Sequence, residues 1–336
     1  MTYSASTTTF SAPSLKGGET VTIVAKRYVP QTNASNGLTL LCFHCTGSHK
    51  ESWEPTIQHL LDDTAARRLI REIWAVDNAH SGEAAVHNAA WLSDERIFTL
   101  LEWAAAVKAW VASGVFAGHT LVAVGHSGGT CAFAYTMSAD EPDGGRHPAV
   151  PYAAAILVEP SLCDAAAYEP RRAAQYKTNL ALADAIGRRR GAWASRAAAR
   201  AFFAGREPWR SWDPRVRELF VQCGLKEVGE PNAGERRVVL CCSPKQEAIQ
   251  YLYQDFHNHA ATLLATAGVS VPKHFVLATQ AHFIPSWMSQ SVMDLCKPAS
   301  VQRIDAGHFA VQEDPAAVAA AIARVLVGNA NIRARM

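Results

Sequence analysis

The apolar run Leu121–Val124 passes directly into Gly125-His126-Ser127-Gly128-Gly129, and helix-compatible residues follow. This is G-x-S-x-G in a strand–turn–helix setting, the context in which a serine becomes an exposed nucleophile. The turn is tight, so Gly125 and Gly129 keep side chains clear of neighbouring backbone. Ser127 then stands at a helix N-terminus, where free N–H groups and the helix dipole favour developing negative charge. A serine hydroxyl is a weak nucleophile and needs a base whose pKa lies near working pH, which histidine supplies. Of the thirteen histidines, His308 alone follows the last strand-like run with a glycine before it, in Asp305-Ala306-Gly307-His308.

A carboxylate must orient that histidine and stabilise its charged form. In the order serine, acid, histidine it lies between 127 and 308. One candidate strand end is Glu159, after Ala154–Val158. The other is the loop Thr279-Gln280-Ala281-His282-Phe283-Ile284-Pro285, which contains no carboxylate. Elimination leaves Glu159, with Asp255 and Asp294 as alternatives. The N–H of Gly128 faces the developing oxyanion, and a second donor is expected from Phe43-His44-Cys45-Thr46-Gly47. Thr46 is the first candidate for it and Cys45 the alternative. His44 is expected to brace that loop. Asp77 and His80 are expected to serve the turn after Ile73–Val76. His257 and His259 would project about 200° apart on a helix, so no metal site is expected there.

The elements that must position these groups alternate. Strand candidates are Val21–Ala25, Leu38–Phe43, Ile73–Val76, Leu121–Val124, Ala154–Val158, His274–Ala278 and Val301–Ile304. Several are continuous apolar runs, the pattern of strands buried on both faces of a parallel sheet. Amphipathic stretches such as Arg96–Val111 and Pro315–Leu326 lie between them. The alternation predicts a mostly parallel, doubly wound α/β sheet. From 161 to 231 no strand is evident. The segment is rich in Ala, Arg and aromatics, and holds thirteen Lys+Arg against eight Asp+Glu, a local excess of +5. It is expected to form a helical cap over the carboxyl edge of the sheet, where ligands of such sheets bind. Residues 20–160 and 232–330 would form the discontinuous core.

Composition narrows the function. The 336 residues are 49% hydrophobic and 18% charged, which excludes bulk disorder. A net charge of +2 gives no basic coat for nucleic acid. No apolar run approaches the roughly 20 residues of a membrane helix. Eight scattered cysteines read as reduced, buried thiols of an intracellular protein.

With these residues in hand, the chain resembles the α/β-hydrolase superfamily. More narrowly it is similar to the fungal group of toxin-biosynthesis hydrolases and a peroxisomal lipase-like hydrolase. The narrower cues are His44-Cys-Thr-Gly-Ser-His49-Lys50-Glu51-Ser-Trp53-Glu54-Pro55, Val158-Glu159-Pro160 and Trp212-Asp213-Pro214-Arg215-Val216. The resemblance implies the α/β-hydrolase fold, Ser127 as nucleophile, His308 as base and Glu159 as acid. The superfamily's oxyanion loop usually has glycine after the histidine, whereas this chain has Cys45. A left-handed backbone there would strain a cysteine. Epoxide hydrolases and haloalkane dehalogenases of this fold carry aspartate where Ser127 stands.

The reading is a serine hydrolase that cleaves an ester, thioester or lactone of a medium-sized apolar small molecule, with a carboxylate or phosphate handle for the basic cap and a place in fungal secondary metabolism. Acyl transfer, C–C bond hydrolysis and ligand binding without turnover are the alternatives. No cofactor or metal is implied. Ala334-Arg335-Met336 fits a permissive peroxisomal signal, so the expected location is cytoplasmic or peroxisomal.

Overall fold

The computed structural model describes residues 3–15, 20–32, 34–93, 96, 98–140, 148–229, 237–280 and 283–329. The tripeptide Ala334-Arg335-Met336 and the junction at 231–232 lie outside these. The strands are β1 (Tyr3–Pro13), β2 (Thr20–Pro30), β3 (Leu38–Phe43), β4 (Ile70–Val76), β5 (Thr120–His126), β6 (Tyr152–Val158), β7 (Ala192–Trp193), β8 (Leu225–Val228), β9 (Arg237–Leu240), β10 (Lys273–Ala278) and β11 (Ser300–Ile304). Eight of them form one sheet in the order β1-β2-β4-β3-β5-β6-β10-β11. The pairs from β4 to β11 are parallel, and β1 and β2 join as antiparallel strands.

Burial explains which strands the sequence announces. Every residue of β3 and β6 is buried, and so is all but the first of β5. Strands covered on both faces need apolar residues at every position. One apolar layer holds Trp103, Phe133 and Leu264. The opposite layer holds Ile57, Leu61, Ile322 and Leu326. The edge strand β1 reads YSASTTTFSAP and is mostly exposed, so its sequence carries no apolar signal.

Register brings the site together. His126 pairs with Val158, Val158 with Val276, and Ala278 with Ile304. Ser127, Glu159, Thr279 and Asp305 therefore leave neighbouring strands at one edge, and the loop after β11 carries His308 back over it.

The helices Arg172–Gly187, Arg196–Ala204 and Pro214–Cys223 follow β6, and Gln175, Asn179 and Leu182 of the first line a cleft with Ser127. The segment from 161 to 231 is not wholly helical. β7 and β8 flank β9 in a small antiparallel sheet, and β9 comes from beyond 231. Strands of two and four residues are too short to show periodicity. Trp193, Phe203, Trp209, Trp212 and Phe220 form a separate apolar cluster here. Among the described residues no helix is long and apolar enough to cross a membrane.

Candidate active site

Ser127 sits between β5 and the helix Gly128–Thr136 with φ 51° and ψ −120°. A non-glycine residue pays for this conformation, and it persists where surroundings over-determine it. Here the Ser127 N–H donates to Val158 O at 3.0 Å, and Thr130 N–H donates to Ser127 O at 2.9 Å. Gly129 passes against the carbonyls of Phe43 and His44, and any Cβ there would overlap both. A Cβ on Gly128 would lie 2.5 Å from Thr46 Oγ1, so Thr46 abuts the start of this helix.

Ser127 Oγ lies 3.0 Å from His308 Nε2, and His308 Nδ1 lies 3.2 Å from Glu159 Oε2. All three residues are buried. Glu159 also has a left-handed backbone, φ 44°. Its N–H donates to Val276 O at 2.9 Å, continuing the β6–β10 ladder. Its second oxygen accepts from Ala278 N–H at 2.6 Å. The end of β10 thus orients a carboxylate that β6 delivers. Asp255 is instead an exposed partner of Arg172, and Asp294 accepts from Gln290 on a helix surface. The turn before His308 is closed by Gly307 N–H, which donates to Glu313 at 2.6 Å. Phe283 stacks on the His308 ring at 4.7 Å.

His126, unremarkable as the second residue of G-x-S-x-G, has a part here that sequence reasoning missed. Its Nε2–H donates to the backbone carbonyl of His308 at 2.9 Å. Burial, and then the neighbouring His308, push its pKa down to about 3, so the ring is neutral. It ties the base to the strand that carries the serine.

The loop after β3 is braced from several sides. His44 Nδ1–H donates to Cys45 O at 2.8 Å, and Asn78 N–H donates to its Nε2 at 3.1 Å. Burial pushes this ring too down to about 3. Cys45 does not take a left-handed backbone, whereas Gly47 does, at φ 75°. The anticipated strain is absent because the turn places its positive φ two residues later. Cys45 Sγ is buried and accepts from Gln312 at 3.2 Å, whereas Thr46 lines the cleft with Ser127. Beneath the loop, fully buried Lys50 reaches Asp77 at 2.9 Å, Glu51 at 2.9 Å and Glu83 at 3.2 Å. Burial opposes the Lys50 charge, but Asp77 and Glu51 outweigh it and hold the ammonium above the usual lysine range. Asp77 also accepts from Lys50 N–H at 2.7 Å, fixing the backbone that follows the loop. This network was legible only as a run of charged letters after His49.

A cleft opens over Ser127. Its lining combines polar side chains, among them Gln175, Asn179, Gln250 and His257, with the apolar run Phe283, Ile284, Pro285 and Met288. Among the described residues no Asp, Glu, Lys or Arg lines it. The arginines above the sheet are engaged elsewhere: Arg189 with Glu247, Arg200 with Glu218, Arg215 with Asp213, and Arg196 with the carbonyls of Gln222 and Leu225. The anionic handle read from local charge therefore has no cation in the cleft to meet it. The eight cysteines are free thiols, seven of them buried.

A hydroxyl, an imidazole and a carboxylate in this chain can move one proton from oxygen to nitrogen while the carboxylate steadies the cation. The chain's relatives carry the same architecture. It superposes on the peroxisomal α/β-hydrolase Lpx1 of Saccharomyces cerevisiae with a TM-score of 0.73 at 16% identity, covering 97% of this chain and 90% of that one. The thioesterase domain from the curacin biosynthetic pathway gives 0.60 at 16% identity, over 90% and 95% of the two chains. E-2-(acetamidomethylene)succinate hydrolase gives 0.59 at 17%, over 96% and 100%. At such identities the likeness is one of fold. No curated protein sequence matches this chain. The model of the alpha/beta hydrolase family matches residues 40–321, a span that runs from β3 past His308, and the chain belongs to that family.

Proposed function

We propose that the protein is a serine hydrolase that cleaves an ester, thioester or lactone of a medium-sized small molecule through an acyl-enzyme. The observation that carries this reading is the chain Ser127 Oγ, His308 Nε2 at 3.0 Å and His308 Nδ1 to Glu159 at 3.2 Å, opening on a cleft. Ser127 Oγ attacks the carbonyl carbon and passes its proton to His308 Nε2. Glu159 accepts from Nδ1–H and stabilises the imidazolium. The N–H groups of Gly128 and Thr46 receive the oxyanion, with Cys45 behind Thr46 holding the turn. His308 gives the proton to the departing alcohol or thiol. Water then attacks the acyl carbon, its proton goes to Nε2 and on to Ser127 Oγ, and the acid leaves. Segment 161–231 acts as the cap over this reaction.

Labelling by a fluorophosphonate tests the reading. The wild type should label rapidly at Ser127. Ser127→Ala should abolish labelling. His308→Ala should slow it by at least about 10³-fold, and Glu159→Gln by about 10²–10⁴-fold. A well-folded wild type that does not label would end the reading. Fast labelling of Glu159→Gln would move the acid elsewhere.

A further inference from the structure

The polar lining of the cleft contains two hydrogen-bond acceptors whose identity is fixed by what their other ends do. His257 lies on the helix Gln254–Ala265 and is 9% exposed. Its Nδ1 lies 2.8 Å from Ser161 O and 3.1 Å from Ser161 Oγ. A carbonyl oxygen only accepts, so Nδ1 carries the hydrogen. Burial pushes the ring's pKa down to about 4, so the ring is neutral at physiological pH. Nε2 therefore presents a lone pair, and no described residue donates to it.

Gln250 is 3% exposed. Its Nε2 donates to Phe98 O at 2.6 Å and to Gln246 O at 3.2 Å. Both partners are carbonyls, so the amide cannot be reversed and Oε1 is the free end. No described residue donates to Oε1 either. Ser161, which accepts from His257, keeps its own hydroxyl hydrogen available beside the same space.

Such acceptors are open to solvent in the cleft, and a ligand that covers one without donating to it leaves it unsatisfied, at a cost in free energy. Water satisfies it in the free protein, and a ligand that displaces the water must supply a donor or lose affinity. Phe283, Ile284, Pro285 and Met288 of the same lining favour apolar surface. Among the described lining residues there is no Lys or Arg to serve as counter-ion to an anionic substrate. Building on the serine hydrolase reading, we infer that the cleft selects a neutral, amphipathic acyl substrate carrying a hydroxyl or amide N–H, and that His257 and Gln250 are the specificity-determining residues that accept from it.

The test compares rates of Ser127 labelling by alkyl fluorophosphonates that differ in one group: an n-hexyl chain, and hexyl chains hydroxylated at carbon 3 or carbon 6. The rate is read as a second-order constant, in the wild type, His257→Phe and Gln250→Met. One hydroxylated probe should label the wild type about tenfold or more faster than n-hexyl. His257→Phe should bring that ratio near one, and because the ratio is taken within each variant against its own n-hexyl rate, lost recognition is separated from a damaged serine. Gln250→Met should reduce the ratio as well, and it serves if His257→Phe does not fold. Equal rates in the wild type, or an advantage that survives both substitutions, would overturn the inference while leaving the serine hydrolase standing. Labelling by none of the probes would bring down the serine reading and this inference together.

Discussion

The carboxyl edge of the sheet and the helices proposed as its cap, the roof, are held by different forces. At the edge, position comes from backbone ladders. Ser127 is tied to Val158, Glu159 to Val276 and Ala278, and Thr279 to Ile304. Two residues there, Ser127 and Glu159, accept left-handed backbones that only a rigid surround sustains. The roof is held by side chains. Its long helix Arg172–Gly187 buries only Asn179 and Ala183, and Arg172 and Arg189 pin its ends to Asp255 and Glu247. Ladders hold atoms to fractions of an ångström, as proton transfer requires. Long side chains on a roof tolerate movement and substitution.

The comparison is broken if damage to the roof reaches the serine. Phe203 is fully buried between Trp193 and Trp209, each ring 4.9 Å away, and Phe220 at 5.2 Å. Phe203→Ala should cost about 3–5 kcal/mol of stability in that cluster, a transfer loss plus a cavity. Hydrogen exchange should rise in Arg196–Ala204 and Pro214–Cys223, while a small fluorophosphonate still labels Ser127. Labelling that falls in step with the roof's protection would show one cooperative unit.

Acid should sharpen the comparison from the other side. Burial pushes His44 and His126 down to about 3 and His80 and His257 down to about 4. His44 and His80 follow β3 and β4, His126 ends β5, and none of the four belongs to the helices of the roof. Their folded pKa values lie below the unfolded one, so the unfolded chain binds more protons in between. Their stability is complete above about pH 6.5 and is lost as pH falls toward 4. Each such histidine contributes a slope of about 1.4 kcal/mol per pH unit within that window. Asp77, whose carboxyl burial raises, works the other way, one group against four. The urea midpoint should therefore drop between pH 7 and pH 5. An unchanged midpoint would mean that these rings already open to water in the native state.

What the sequence made legible follows the same division. β3, β5 and β6 announce themselves because burial on both faces forces continuous apolar runs, and the glycines around Ser127 mark the turn. Glu159 was reachable because the competing loop holds no carboxylate, though nothing in the letters shows its positive φ. His126 was invisible because its role is a bond to the backbone of a residue 182 positions away. β1 was missed because an exposed edge strand of Ser and Thr has no apolar period. The helix expected to carry His257 and His259 is Gln254–Ala265, a separate helix Pro244–Gln250 precedes it, and Gln250 and His257 both line the cleft. The roof misled most. Its excess of arginine reads as a demand for anions, yet the arginines are spent on local carboxylates and carbonyls. A charge count records the side chains without their partners.

The smallest effect tests that last statement. Arg200 and Glu218 form a close pair at 2.6 Å across the helices Arg196–Ala204 and Pro214–Cys223. Hydrogen bonding to Arg200 holds the Glu218 carboxyl down to about 2, which looks like a strong interaction. Both side chains are solvent-exposed, however, at 47% and 36%. Water and salt screen such a pair, and ordering two long side chains offsets what remains. Arg200→Gln should leave the melting temperature of the roof unchanged within error, and a double-mutant cycle with Glu218→Gln should show no coupling in 0.5 M salt. Measurable coupling that survives salt would mean that the helices of the roof lean on their ion pairs more than on Phe203 and its rings, and the distinction between a ladder-held edge and a side-chain-held roof would have to be drawn with electrostatics at its centre.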